Sequence, residues 1–103
     1  MFIVFTTTPN AHEAESLANK IVEARFAACV QILPQMTSIY VWEGSVQKEN
    51  EHLLLIKTTK EKCGELEKFL IANHSYDVPE IAAVETENIS EGYRRWLEST
   101  LSE

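Results

Sequence analysis

Thr37-Ser-Ile-Tyr-Val-Trp-Glu-Gly44 and Glu51-His-Leu-Leu-Leu-Ile-Lys-Thr-Thr59 are the two runs that decide the fold of this 103-residue chain. Both are rich in β-branched, aromatic and aliphatic residues, the composition of strands. Gly44 and the polar segment from Ser45 to Asn50 lie between them, which predicts a β-hairpin with a longer loop over those residues. Side chains alternate faces along a strand. Ile39 and Val41 therefore oppose Tyr40 and Trp42, and Leu53 and Leu55 oppose Leu54 and Ile56. Strands that are apolar on both faces need cover on both faces. A chain this short has few helices to offer, so the sequence predicts that a second copy supplies part of the cover.

Outward from the hairpin, Phe2-Ile-Val-Phe-Thr-Thr-Thr8 reads as a buried strand ended by Pro9. Asn10, with Glu13 three residues later, predicts a capped helix whose inner face carries Ala14, Leu17, Ala18, Ile21 and Val22, ending near Arg25 or Phe26. Ala27 to Leu33 begins a second strand. Pro34 interrupts it and requires a bulge or an edge position there. After the hairpin, Glu61 to Asn73 predicts a second helix, Ile81 to Thr86 a fourth strand, and Ser90 a cap for a last helix bearing Tyr93, Trp96, Leu97 and Leu101. The order β-α-β-β-α-β plus a terminal helix is the split βαβ, or ferredoxin-like, pattern of an α+β fold in a single domain. The reading places strands one and three centrally and parallel, strands two and four at the edges, and both main helices on one sheet face. The long apolar edge of strand two is then an aggregation hazard unless another copy pairs with it. A heterologous contact of that kind closes as a ring.

Composition narrows the partners. The formal net charge is −7, with only nine Lys and Arg, which disfavours nucleic acid and anionic membranes because both are bound through basic residues. No uninterrupted apolar run approaches the roughly 18 residues of a membrane span. Met1 is followed directly by Phe2-Ile-Val-Phe5, without a basic leader. Cys29 and Cys63 are too few for a disulfide scaffold, so the sequence predicts free thiols in a reducing, cytoplasmic setting.

Several segments together carry a resemblance: Ala28-Cys-Val-Gln-Ile-Leu-Pro34, Thr37 to Gly44, Glu51 with Ile56-Lys-Thr58, and His74-Ser-Tyr-Asp-Val-Pro-Glu80, with Tyr93 and Trp96 in the closing helix. In this order, over nearly the whole chain, they resemble the CutA family of divalent-cation tolerance proteins. The resemblance implies a ferredoxin-like subunit assembled as a homotrimer through long hairpins, similar in fold to the PII signalling proteins, and a role in tolerance of copper and other divalent metal ions. Three positions matter for copper. Thr6 stands where some members have a cysteine, and Asn73-His74 stands where some have two histidines. His74 is thus the one implied metal ligand this chain keeps. His74-Ser75-Tyr76 also replaces the usual His-Pro-Tyr.

Read as chemistry, the donors for copper are imidazole and soft sulfur: His12, His52, His74, Cys29, Cys63, Met1 and Met36, none in a close motif. His74 follows the second helix and suits either its C-terminus or a metal. Cys29 opens strand two inside an apolar run and reads first as a buried inert thiol, with a metal or cleft contact second; Cys63 belongs to the core, and His12 and His52 to the surface. Lys57 interrupts an apolar strand and either snorkels to solvent or pairs with a carboxylate such as Glu80 at a subunit junction. Tyr40, Trp42, Tyr76 and Trp96 suit an interface, with ligand stacking second. A cleft between subunits gathering Cys29, Tyr40, Lys57, His74, Tyr76 and Glu80 is the candidate site. Thr6-Thr-Thr-Pro-Asn10 lacks the glycines and arginine of a phosphate-cradling loop, and no nucleophile elbow or zinc-protease helix is present. The predicted activity is binding of copper, not catalysis. The alternative is a PII-like sensor of a small metabolite.

Overall fold

The computed structural model describes residues 1–102. Its elements are β1 (Phe2–Thr8), α1 (Ala11–Glu23), β2 (Cys29–Trp42), β3 (Ser45–Thr58), α2 (Lys60–Asn73), β4 (Ala82–Glu85) and α3 (Glu91–Leu101). The strands form one sheet in the order β2-β3-β1-β4, the ferredoxin-like arrangement with β1 and β3 central. β1 runs antiparallel to β3 and not parallel as the sequence reading has it. The reason is topological: the crossover through α1 leaves β1 and β2 pointing the same way, and the hairpin turns β3 against β2. A strand between two that point one way must oppose both.

The hairpin is longer and tighter than the sequence suggests. Ser45 to Asn50 is strand, paired directly with Thr37 to Trp42. The turn is only Glu43-Gly44, with φ of 50° and 81°, the two positive values of a type I′ hairpin turn. Gly44 is favoured there because a side chain makes left-handed backbone strained. Two 14-residue strands at about 3.3 Å per residue reach roughly 46 Å, which accounts for a longest dimension of 45 Å against 26 and 23 Å for the others. β1 spans only seven residues, so the half of β3 before His52 pairs with β2 alone. The radius of gyration, 14.3 Å, exceeds the about 13 Å of a compact chain of this length because this ribbon projects from the body.

Pro34 does require a bulge. Two residues of β2, Pro34 and Gln35, stand opposite one of β3 between the Leu33–Leu53 and Met36–Glu51 pairs. The extra residue keeps Met36, Ser38, Tyr40 and Trp42 on the same face as Leu33 despite the change from odd to even numbering, and it adds twist. β2 is also an edge strand, where a proline removes no ladder bond that is needed.

One face of the sheet holds the core. Val4, Leu54 and Ile56 meet Ala14, Leu17 and Ile21 of α1 and Leu66 and Leu70 of α2, all buried. Asn10 caps α1, its side-chain oxygen accepting from the Glu13 amide at 2.8 Å. Glu13 does not complete the reciprocal box, because its carboxylate accepts from the Ser75 hydroxyl at 2.8 Å. Thr58 donates to the Phe26 carbonyl at 2.7 Å, tying the end of β3 to the turn after α1. The other face carries Ile3, Phe5, Leu53, Leu55 and Lys57, by alternation. Only its lower end is covered, where Leu97 and Leu101 of α3 pack with Ala28 and Met1. No helix among the described residues is long and apolar enough to cross a membrane.

Candidate functional site

Five of the six residues of the predicted cleft fall into two groups at opposite ends of the open face. At the base of the hairpin stand Tyr76 and His74 around Glu51, with Tyr40 further along the ribbon on the same side. At the lower end stand Cys29 and Lys57, neighbours across the β2–β3 pair. Six residues of strand separate Lys57 from Glu51, about 20 Å. Glu80 joins neither group. It lies exposed on the connector before β4, and among the described residues it forms no ion pair with Lys57. Within one chain the ammonium of Lys57 lies instead 5.7 Å from the centre of the Tyr93 ring.

At the hairpin base the centre is Glu51, which the sequence marks as a strand start and as part of the resembling segments but not as a site residue. It is buried, with 8% of its surface exposed. Tyr76 donates its hydroxyl to the Glu51 carboxylate at 2.8 Å. Burial pushes the carboxyl up, but hydrogen bonds from Ser38, Tyr76 and Thr7, with His74 close by, outweigh it and hold it below the usual glutamate range. Burial and the Glu51 carboxylate push the Tyr76 phenol far up, so it stays a donor. Tyr40, further along the ribbon, hydrogen-bonds Glu49, which raises its phenol as well. The signal for this cluster in the sequence is a glutamate opening an apolar strand, a place where a carboxylate needs partners.

His74 closes the group. Its Nδ1 accepts from the Tyr76 amide at 3.1 Å, and its Nε2 lies 2.8 Å from the Thr7 carbonyl. The first bond requires a bare Nδ1, so the proton sits on Nε2 and is donated to Thr7. β4 pairs with β1 only from Phe2 to Phe5; beyond it the imidazole serves the carbonyl of Thr7. The ring also lies 4.9 Å from that of Tyr76. Both nitrogens are therefore engaged with backbone.

As a holder of copper, one chain is poorly equipped. No three His, Cys, Asp or Glu among the described residues converge. Thr6 is fully buried and its hydroxyl has no partner, and the Asn73 amide donates to the Phe69 carbonyl at 2.9 Å. Cys29 lies on the open face, whereas Cys63 packs against the core from α2. The thiols are thus on opposite sides of the sheet, and burial followed by Glu61 and Glu67 pushes Cys63 up, away from the thiolate that binds metal.

Glu51 gives this cluster a pH dependence. Its folded state binds the proton less tightly than the unfolded chain, so the stability it contributes is present above the ordinary glutamate value of 4.5 and is lost as pH falls through the lower folded value. Glu51→Gln is expected to cost about 1.5–3 kcal/mol at pH 7 through the lost charge-assisted bonds. The gap to the unaltered chain should close in acid. Urea melts from pH 7 to pH 3 check this. A difference that stays constant with pH, or widens on acidification, is the opposing result.

Comparison with known proteins follows the same lines as the geometry. The family described as CutA1 divalent ion tolerance protein matches residues 2–100. The chain is 43% identical over 98 residues to protein CutA, chloroplastic, of Arabidopsis thaliana, covering 95% of this chain and 54% of that one. It is 44% identical over 96 residues to the divalent-cation tolerance protein CutA of Thermus thermophilus, covering 93% and 90%. The chain thus spans about half the length of the plant relatives and nearly all of the bacterial one. Among solved structures, CutA from Synechococcus elongatus superposes with a TM-score of 0.94 at 37% identity, covering 97% of this chain and 88% of that one. The periplasmic divalent cation tolerance protein CutA from Archaeoglobus fulgidus gives 0.93 at 32%, covering 98% and 99%. With the matched family spanning nearly every residue and the same fold returned at these identities, the chain belongs to the CutA1 family of divalent ion tolerance proteins.

Proposed function

We propose that this protein is a cytoplasmic homotrimer that contributes to divalent-cation tolerance by binding copper weakly, without catalysing a reaction. The observation that carries the assembly is the ribbon. Ile39, Val41 and Val46 on one side, and Tyr40 and Trp42 on the other, stand exposed on a projecting hairpin that no element of its own chain covers. A contiguous apolar surface of this kind marks a contact site, and a second copy with the same bare sheet face is its natural occupant. Family membership supports the tolerance role.

Copper enters this reading as cargo. His74 is the imidazole assigned to it. Because both ring nitrogens are engaged, His74 would have to release one backbone bond to coordinate a metal, and further donors would have to come from another subunit. Weak binding follows from both requirements. Calorimetry with copper on the intact assembly tests this. Saturable binding is expected, weakened at least about tenfold, or about 1.4 kcal/mol, by His74→Ala. Copper uptake unchanged after loss of His74 and both thiols would instead mean adsorption to the acidic surface.

A further inference from the structure

The helical side of the sheet, away from the ribbon and the bare face, carries a groove of its own. It lies between α1 and the end of α2 and holds about 230 Å³. The sequence of α1 builds its long wall. Glu13, Ser16, Leu17 and Lys20 stand on one helix face, at i, i+3, i+4 and i+7. Leu17 is buried, and the three polar residues surround it. Asn73 and Ser75 at the end of α2 form the facing wall, with His12 beside Glu13.

The groove is dipolar. Seven residues of helix separate Glu13 from Lys20, about 10 Å along the axis. Neither joins an ion pair among the described residues, so a carboxylate and an ammonium line one small concavity without neutralising each other. The carboxylate end is held in place. Glu13 is half-buried, and its Oε2 accepts from the Ser75 hydroxyl at 2.8 Å, which leaves Oε1 to accept from a ligand. The end of α2 adds to the same pole. Its last turn has no basic residue, and the partial negative charge of a helix C-terminus favours a cation. The Asn73 amide nitrogen donates to the Phe69 carbonyl at 2.9 Å, so the oxygen of that side chain is left as a further acceptor.

We propose that this groove binds a small zwitterion, an amino acid whose ammonium lies against Glu13 and the end of α2 and whose carboxylate lies against Lys20, with Ser16 between them. Charge selects the class. A cation alone is repelled by Lys20 and an anion alone by Glu13, whereas a molecule carrying both charges meets an opposite charge at each end. Size selects further. The volume falls below the roughly 300 Å³ at which sites for drug-sized ligands begin. The span along α1 suits charges at the two ends of a short carbon chain. The site goes beyond the tolerance reading and needs neither His74 nor the ribbon.

Calorimetry and amide NMR titration of the full chain with 4-aminobutanoate, butanoate and butylamine test it. 4-Aminobutanoate is expected to saturate and to shift amides of α1 and of the end of α2. Both singly charged analogues should bind at least about tenfold more weakly, since each lacks one charge-assisted bond. Lys20→Met and Glu13→Gln should each weaken 4-aminobutanoate by about tenfold, and Lys20→Arg, which keeps the charge, should retain most of the affinity. Lys20 is exposed, so its exchange leaves the core intact. No saturable binding, equal binding of butylamine or of butanoate, or a Lys20→Met chain that binds as before overturns the site. Copper binding and light scattering on the same variants should be unchanged, which keeps this result separate from the metal and the assembly.

Discussion

A chain carrying Val41→Lys together with Val46→Glu is expected to run in light scattering as a folded monomer at micromolar concentration, where the proposed assembly has the unaltered protein running as a trimer. Val41 and Val46 face each other directly near the tip of the ribbon, and they are 69% and 72% exposed in the single chain. Within one subunit the exchange is mild, because opposite charges in a cross-strand pair support a hairpin. At a subunit contact it is severe. Each valine withdrawn from water contributes about 1.5 kcal/mol or more, so about 3 kcal/mol is lost per chain. Stripping water from the two introduced charges adds a further penalty. A trimer that survives the double exchange would show that the ribbon tip is not part of the contact.

Leu54→Ala should remove about 2–5 kcal/mol of stability, measured by urea melts at fixed protein concentration, since an assembly's stability depends on it. Leu54 has no exposed surface and lies on a central strand between Thr6 of β1 and Ile32 of β2, at the middle of the core under both helices. Close packing leaves a cavity there and not a collapse. Against a total of about 5–15 kcal/mol for an ordinary domain, the loss is a large fraction. Ile71→Ala on the outside of α2, where the side chain is 60% exposed, is the contrast: within about 0.5 kcal/mol of the parent. Similar losses at the two positions would contradict the core assignment.

Element order, the central places of β1 and β3 and the bulge at Pro34 were legible because each has a local cause: alternation, helical spacing, or a ring without an N–H. The extent of the hairpin was not. Gln47, Lys48, Glu49 and Asn50 look like loop because their strand does not pack on the core of its own chain, and alternation against a core is the signal that reveals a strand. The relative direction of β1 and β3 follows from connectivity and not from composition, which explains the parallel assignment. At the candidate site, His74 and Tyr76 were recognisable from the connector that holds them. Glu51 was not, because a buried carboxylate is intelligible only with Tyr76, Ser38 and Thr7 around it. In the sequence Lys57 reads as either snorkelling to solvent or pairing with a carboxylate such as Glu80; that the Tyr93 ring stands beside it within the chain depends on where α3 docks.

The place of β1 in the sheet sets the timetable of folding. Phe2 lies opposite Thr58 on one side and Glu85 on the other. During synthesis the first strand therefore leaves the ribosome long before either neighbour exists. The ribbon β2–β3, joined by a two-residue turn, can zip as soon as it is made, within about 10 microseconds. β1 must then wait for β3 on one side and, later still, for β4 on the other, and distant pairings of this kind slow the search for the native state.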